Sequence, residues 1–174
     1  IARHHPDAAF VAISGDLTER GDIASYALLQ DMLRGFPLQT HLMLGNHDQR
    51  DNFLSVFGGA DGGGFAQHAI SVRGTRFLFL DTLKGGPSSA GLYDEPRRQW
   101  LSKELASLSG AEAVIFMHHP PFSIHHPLMD SIKLEEEEAF AALLNGYPVR
   151  HIFFGHAHRT ISGTWRGISY SALP

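Results

Sequence analysis

The sequence predicts an α/β fold built around a mixed β-sheet. Short apolar segments of strand length alternate with longer segments whose apolar residues repeat at helical spacing. Two pairs of strand-like segments are joined by short turns, which predicts hairpins inserted among the alternating elements. A chain of 174 residues has the usual length of one domain and is long enough to bury a core of its own.

The predicted strands are apolar runs that end at Gly, Pro or polar turn residues. The first, Phe10 to Ser14, is apolar along most of its length, which suits a buried strand. A hairpin is predicted around Arg73-Gly74, and a second one closes the sequence. The remaining predicted strands are His41–Leu44, Phe65–Val72, Thr75–Leu80, Ala113–Met117, Val149–Phe154, Thr160–Trp165 and Ile168–Ser171.

Four helices are predicted between these strands. Residues 22–34 have helical apolar spacing and are followed by Gly35 and Pro37, which favour a helix end. Asp94 stands where a helix N-cap is expected, with Pro96 in the first turn. The other predicted helices are Gln49–Phe57, Asp94–Leu108 and Ser131–Leu144, with loops at Lys84–Gly91 and His118–Asp130.

Composition excludes several classes of protein and site. The net charge of −4 and the lack of a basic run argue against a nucleic-acid-binding module. The chain has no cysteine, so disulfides and thiolate metal sites are excluded. No apolar stretch approaches the ~20 residues that span a membrane. Twelve histidines, nearly as many as all Lys and Arg together, favour metal or acid–base chemistry instead.

Four predicted strands each run into a loop that carries potential metal ligands. Because ligands in α/β folds collect beyond the carboxyl ends of strands, these loops are expected to converge. A mixed oxygen and nitrogen donor set suits Mn, Fe, Co, Ni or Zn better than Ca or Mg. One bridging carboxylate with several imidazoles is typical of two-metal sites that clamp a phosphoryl group. The four loops are Gly15-Asp16, Gly45-Asn46-His47-Asp48, His118-His119-Pro120-Pro121 and Gly155-His156-Ala157-His158.

Each of these residues also has an ordinary structural interpretation. Asp16 could be a turn residue and Asn46 a helix cap. The residues alone leave open which of His118 and His119 binds a metal. His125 lies in the loop after the proline pair, which either overhangs the site and contacts substrate or is an ordinary exposed loop.

Taken in order along the chain, the four loops resemble those of the calcineurin-like metallophosphoesterase superfamily. In detail, the motif sequences are similar to those of its bacterial cyclic-nucleotide and glycerophosphodiester phosphodiesterase branch. The resemblance covers the chain from about Phe10 onwards. Supporting segments are GDLTERGD, GLYDEPRRQWL and FMHHPPF, which begin at Gly15, Gly91 and Phe116. The resemblance implies a sandwich of two mixed β-sheets flanked by helices.

The resemblance also implies a role for each motif residue. Two divalent transition metal ions (Mn, Fe, Co or Zn) are expected, with Asp16 bridging them and His158 helping to bind the second ion. Asn46, His118 and His156 are expected to complete the first site. His47 is expected to stabilise the phosphoryl oxygens or protonate the leaving group, with Asp48 orienting it. Asn46, His47 and His125 are the expected substrate-binding residues.

The function implied is hydrolysis of small phosphodiesters, either cyclic nucleotides or glycerophosphodiesters, by a metal-bound hydroxide. We expect no nucleic-acid polymer or membrane as partner, a homo-oligomeric assembly and a cytoplasmic location. The alternatives are a phosphomonoesterase or pyrophosphatase of the same superfamily, and a non-catalytic metal-binding domain.

The superfamily's first motif, Asp-x-His, does not occur in the sequence. Residues 1–174 are therefore expected to be a single metallophosphoesterase domain that is N-terminally truncated. We expect the missing strand and helix, with two more metal ligands, to precede Ile1, and the domain to continue beyond Pro174.

Overall fold

The computed structural model describes residues 2–59 and 63–172, which form five helices and eight strands. The helices are α1 (Ile23–Arg34), α2 (Arg50–Phe57), α3 (Glu95–Ala106), α4 (Pro127–Ser131) and α5 (Glu137–Leu144). The strands are β1 (Val11–Ile13), β2 (Thr40–Leu42), β3 (His68–Val72), β4 (Thr75–Phe79), β5 (Glu112–Met117), β6 (Val149–Phe154), β7 (Ile161–Trp165) and β8 (Ile168–Ala172).

The strands form a six-stranded mixed sheet and a two-stranded parallel sheet. The larger sheet has the order β3-β4-β5-β6-β8-β7. Its outer pairs are the two predicted hairpins, and the pairs between β4 and β8 are parallel. The smaller sheet pairs β1 with β2. The predicted α/β class is confirmed, with the mixed pairing confined to the larger sheet.

The local sequence explains the hairpins and the helix starts. Arg73 and Gly74 both have positive φ, 51° and 82°, as the tightest hairpin turns require. The carboxylate of Asp22 accepts a hydrogen bond of 2.9 Å from the Ser25 N–H and so caps α1. Asp94 precedes α3 as predicted, but its carboxylate accepts a hydrogen bond from the side chain of Arg97 instead of capping the helix.

Aromatic side chains join the two sheets. The ring of Phe10 lies edge-on to that of Phe77, with centroids 5.0 Å apart. The ring of His41 stacks on Phe79 at 4.6 Å. The opposite face of the larger sheet is covered by apolar side chains of α3 and α5, and the buried residues of this main core include Leu101, Leu105, Ile115, Phe140, Leu144 and Ile152.

The predicted start of the helix Ser131–Leu144 was wrong. Residues 132–136 are not helical, and α5 begins only at Glu137. Leu134 is fully buried, and its N–H donates to the carbonyl of Pro120. The N–H of Glu135 donates to the carbonyl of Gly91, so this segment bridges two loops. Helical spacing in the sequence cannot show this tertiary pairing.

Candidate metal centre

Three predicted ligands converge on a nitrogen of the fourth, Nε2 of His118. It lies 3.4 Å from an oxygen of Asp16 and 3.3 Å from the amide oxygen of Asn46. Nδ1 of His156 lies 3.2 Å away. These side chains come from the loops after β1, β2, β5 and β6, so the predicted convergence of the four loops is present in the structure.

The hydrogen bonding of His118 fixes what this nitrogen can do. Its Nδ1 lies 2.6 Å from the main-chain carbonyl oxygen of Ser14, which can only accept, so the Nδ1–H donates there. In the neutral ring Nε2 then carries a lone pair directed towards the oxygens of Asp16 and Asn46. Acceptor atoms facing one another at such distances are stabilised by a shared cation. The donor set therefore fits a divalent transition metal ion.

The backbone of these loops adopts conformations that few residues tolerate. Asp16, His156 and His158 all have left-handed φ angles, between 50° and 60°. Such angles in non-glycine residues cluster at functional sites because the surrounding structure must hold them. Gly45 is required for a different reason, since a Cβ there would lie 2.2 Å from a carboxylate oxygen of Asp16.

The ionisation states suit metal binding. Burial raises the pKa of the Asp16 carboxyl, but His118 and the main-chain N–H of His47 outweigh burial and hold the pKa well below its usual value. Burial, reinforced by His118, lowers the pKa of His156 to about 4. At neutral pH the carboxylate is therefore ionised and the imidazole neutral, which are the forms that bind a metal.

His158 lines the same cleft as these ligands, although its own ring is exposed. The cleft has a volume of about 390 Å³. Its lining residues are Ser14, Gly15, Asp16, His118, Gly155, His156 and His158.

His47 lies at the margin of this cluster. Its main-chain N–H donates to Asp16 at 3.0 Å. The ring is 43% exposed, and Nδ1 lies 3.2 Å from the main-chain carbonyl oxygen of Glu19. Since a carbonyl oxygen can only accept, the Nδ1–H donates to Glu19, and Nε2 is left free of this contact.

Asp48, which is expected to orient His47, directs the hydrogen bonds of its carboxylate to other groups. Asp48 is buried, and its carboxylate accepts hydrogen bonds from the N–H groups of Leu17 and Gly45, at 3.1 and 2.9 Å. It also accepts one from the hydroxyl of Tyr26 at 2.8 Å. Burial raises the pKa of Asp48 despite these donors. Asp48 therefore ties the loop after β1 to the loop after β2.

Sequence reasoning missed Tyr26 because its position fits the apolar spacing of α1. Its hydroxyl donates to Asp48 and accepts the N–H of Gln49 at 2.9 Å. The sequence did contain one indication: Tyr26 is a tyrosine on the face of α1 that is otherwise aliphatic, and a buried hydroxyl needs a hydrogen-bond partner.

His125 is not among the residues that line the cleft, and it lies in an exposed loop between β5 and α4. Its φ is 59°, and its N–H donates to the hydroxyl of Ser123. Arg159, which follows the last motif, donates to the carbonyl of Ile124 at 3.5 Å and so connects the two loops. Contact between His125 and a substrate stays a prediction.

His119 is completely buried beside the cluster, and burial lowers its pKa well below the usual value. His118, His119 and His156 each offer a nitrogen within 4.8 Å of the others, which defines a second possible donor set. Two nitrogens bound to one ion at about 2.1 Å can be no more than about 4.2 Å apart. Asp16, Asn46 and His156 each place an atom within 3.4 Å of Nε2 of His118, so each of these three pairs is within this limit.

Comparison with known proteins identifies the family of this chain. Residues 1–160 match the family model described as calcineurin-like phosphoesterase. The chain belongs to this family.

Two relatives illustrate where in the family the chain falls. It is 37% identical to a probable cyclic nucleotide phosphodiesterase of Rhodopseudomonas palustris, over 98% of this chain and 64% of the relative. It is 30% identical to a glycerophosphodiester phosphodiesterase of Enterobacter lignolyticus, over 99% of this chain and 63% of the relative. The chain thus spans less than two thirds of the length of either relative.

A solved structure shows the same fold. A dimetal phosphatase from Danio rerio superposes with a TM-score of 0.78 at 18% identity, over 98% of this chain and 73% of that chain. Among the described residues, no helix has both the length and the apolar character needed to cross a membrane.

Proposed function

We propose that this protein is a metal-dependent phosphodiesterase that hydrolyses small phosphodiesters of the cyclic-nucleotide or glycerophosphodiester type. The observation that carries the proposal is the convergence of Asp16, Asn46 and His156 on Nε2 of His118. The relatives named above, which are phosphodiesterases by name, support the choice of diesters over other phosphoesters.

Two divalent ions, Mn, Fe, Co or Zn, are proposed as cofactors. Asp16, Asn46, His118 and His156 would hold one ion, while Asp16 and His158 would contribute to the second. When bound, such ions stabilise negative charge on the phosphoryl group and acidify a water molecule for attack on phosphorus. This donor set does not identify the metal, because the affinities of most nitrogen and oxygen sites for first-row divalent metals follow the same order.

The protein's own residues then orient the reaction. The bond from His118 to the carbonyl of Ser14 fixes the ring and directs Nε2 into the cleft. His47 lies next to the ligand loop with its Nδ1 turned towards Glu19. In the imidazolium form, which carries a proton on both nitrogens, Nε2 is proposed to donate to a phosphoryl oxygen or to give its proton to the leaving alkoxide. The volume of the cleft, about 390 Å³, suits a small phosphodiester.

The test is turnover of bis(p-nitrophenyl) phosphate, p-nitrophenyl phosphate, cyclic AMP and glycerophosphocholine by protein loaded with Mn²⁺, Co²⁺ or Zn²⁺. We expect the diesters to be preferred, chelation to abolish turnover, and His118→Ala to behave like the chelated enzyme. His5→Gln, an exposed histidine outside the cleft, is the matched control and should match the wild type. Preference for the monoester would favour the phosphomonoesterase alternative, and turnover that survives chelation would overturn the proposal.

A further inference from the structure

We propose that His119, held by the hydroxyl of Thr82, is a positioning residue that fixes the angle between the metal-binding rings of His118 and His156. The inference rests on the metal site of the proposed function. It assigns a role to the second histidine of the His118-His119 pair, which the sequence alone left open.

The ring of His119 packs against the rings of both His118 and His156. Its centroid lies 4.9 Å from that of His118, with the planes at 84°. It lies 4.9 Å from the centroid of His156, with the planes at 50°. Because His119 is 0% exposed, no solvent can fill the space if its ring turns. Rotation of either ligand ring therefore requires His119 to move as well.

Thr82 holds His119 at two atoms. Its hydroxyl oxygen lies 2.8 Å from Nδ1 of the ring and 3.4 Å from the main-chain nitrogen of the same residue. The main-chain N–H can only donate, so the hydroxyl accepts there and has its own proton to give to Nδ1. Thr82 is itself fully buried, which leaves this hydroxyl without competing water.

This arrangement distinguishes a positioning role from a ligand role. If Nδ1 accepts the proton of the Thr82 hydroxyl, the neutral ring carries its own proton on Nε2. Nδ1 is then held by Thr82 and Nε2 carries the ring proton, so neither nitrogen offers a lone pair to an ion; among the described residues Nε2 itself has no hydrogen-bond partner. His118 and His156, by contrast, direct facing nitrogens towards each other at 3.2 Å.

A main-chain segment holds the other side of the ring. A Cβ at Gly91 would lie 2.5 Å from Cγ of His119, so only glycine allows this approach. Gly91 is fixed in turn by bridges to Leu83 and Leu134. His119 is thus held between the Thr82 hydroxyl and the backbone at Gly91, which gives the ring a single position.

Loss of this support should weaken metal binding without removing a ligand. Residues that orient metal ligands typically contribute about 10–100-fold to metal affinity. The matched variants are Thr82→Val, which keeps the shape and removes the hydroxyl, and Thr82→Ser, which keeps the hydroxyl. The measurements are the Kd for Co²⁺, the visible spectrum of bound Co²⁺ and the melting temperature of the metal-free protein.

We expect Thr82→Val to bind Co²⁺ about 10–100-fold more weakly and to shift its spectrum, with Thr82→Ser close to the wild type. Wild-type affinity and spectrum in Thr82→Val would overturn the inference, as would equal losses in both variants. If the wild type binds Co²⁺ and cleaves diesters while Thr82→Val is unchanged, only the positioning role falls. If the wild type binds no Co²⁺, the proposed function falls with it.

A second variant keeps the inference testable if Thr82→Val does not fold. His119→Phe retains an aromatic ring of similar size but has no Nδ1. X-ray absorption of Zn²⁺-loaded protein should count the same number of imidazole ligands in His119→Phe as in the wild type. A count lower by one would show that His119 is a ligand and would overturn the positioning role.

Discussion

Replacement of Gly45 by alanine is the sharpest test of the site, because it adds one methyl group at the centre of the ligand loops. The new Cβ would lie 2.2 Å from a carboxylate oxygen of Asp16 and 2.7 Å from Cε1 of His118. Ordinary contacts of this kind begin near 3.4 Å. The φ angle of Gly45 is not in the left-handed region, so the substitution acts through collision and not through backbone strain.

The expected effect follows from these distances. To restore an ordinary contact, the Asp16 carboxylate must move by about 1 Å, and a misplacement of that size can lower turnover about 100-fold. Overpacking of this kind also costs about 1–3 kcal/mol of stability. We therefore expect Gly45→Ala to fold with a lower melting temperature, to bind metal more weakly and to lose about 100-fold in diester turnover.

The assay compares metal Kd by calorimetry, diester turnover and the melting temperature of the metal-free protein. Gly35→Ala is the matched control, because a Cβ at Gly35 meets no atom within 4 Å and its φ is −95°. The control should keep wild-type metal binding and turnover. If Gly45→Ala bound metal and turned over like the wild type, the carboxylate of Asp16 would not be a ligand at the position the structure gives it.

Three further predictions concern stability. Tyr26→Phe removes the hydroxyl partner of one Asp48 oxygen and of the N–H of Gln49, while the other Asp48 oxygen keeps the N–H groups of Leu17 and Gly45. Urea unfolding should therefore show a loss of about 1–3 kcal/mol while turnover of the folded enzyme is retained. A large loss of turnover would return Asp48 to a catalytic role. Burial lowers the pKa of His41, so the unfolded chain takes up a proton first as the pH falls below about 6.5. The free energy of unfolding should therefore be at its full value above that pH and decline below it. If it fell with pH equally steeply in His41→Phe and in the wild type, this reasoning would be contradicted. Divalent metal at 100 times its Kd should stabilise the wild type by about 2.7 kcal/mol in thermal unfolding, and an equal effect in His156→Ala would argue against that ligand.

The sequence predicted the convergence of the ligand loops because the information is local. A strand that ends in glycine and a polar residue shows where the side chain is presented, and parallel strands place such ends at one edge of a sheet. Asp16, Asn46, His118 and His156 could therefore be predicted to meet. The sequence could not predict which atoms face one another, because the tautomer of His118 depends on Ser14, over 100 positions away in the chain.

The misassigned segment before α5 shows where local pattern fails. Residues 135–138 are four consecutive glutamates, which as a sequence favour an exposed helix face. In the structure Glu135 pairs with Lys84 and Glu136 with Arg98, both on distant elements. Glu136 has a left-handed φ of 57°, which interrupts the helix while Leu134 is buried. These partners are separated by tens of residues, so no periodicity within the segment could indicate them.

The histidine count illustrates how composition and structure differ in what they report. Histidines favour metal chemistry as a group, yet several of them serve as flat aromatic rings. His68 stacks on Phe79 with centroids 4.6 Å apart, and His151 lies 4.2 Å from Phe153 on the same sheet. Burial lowers the pKa of His151, as it does at His156.

Both uses of histidine need the neutral ring, since a charged imidazole is costly to bury between aromatic rings and gives no lone pair to a metal. Acid should therefore weaken the contact between the sheets and the metal site over overlapping pH ranges. His41→Phe separates the two effects, because it removes one titrating ring from the aromatic layer and leaves the ligands unchanged. In that variant, the loss of metal binding at low pH no longer includes the titration of His41.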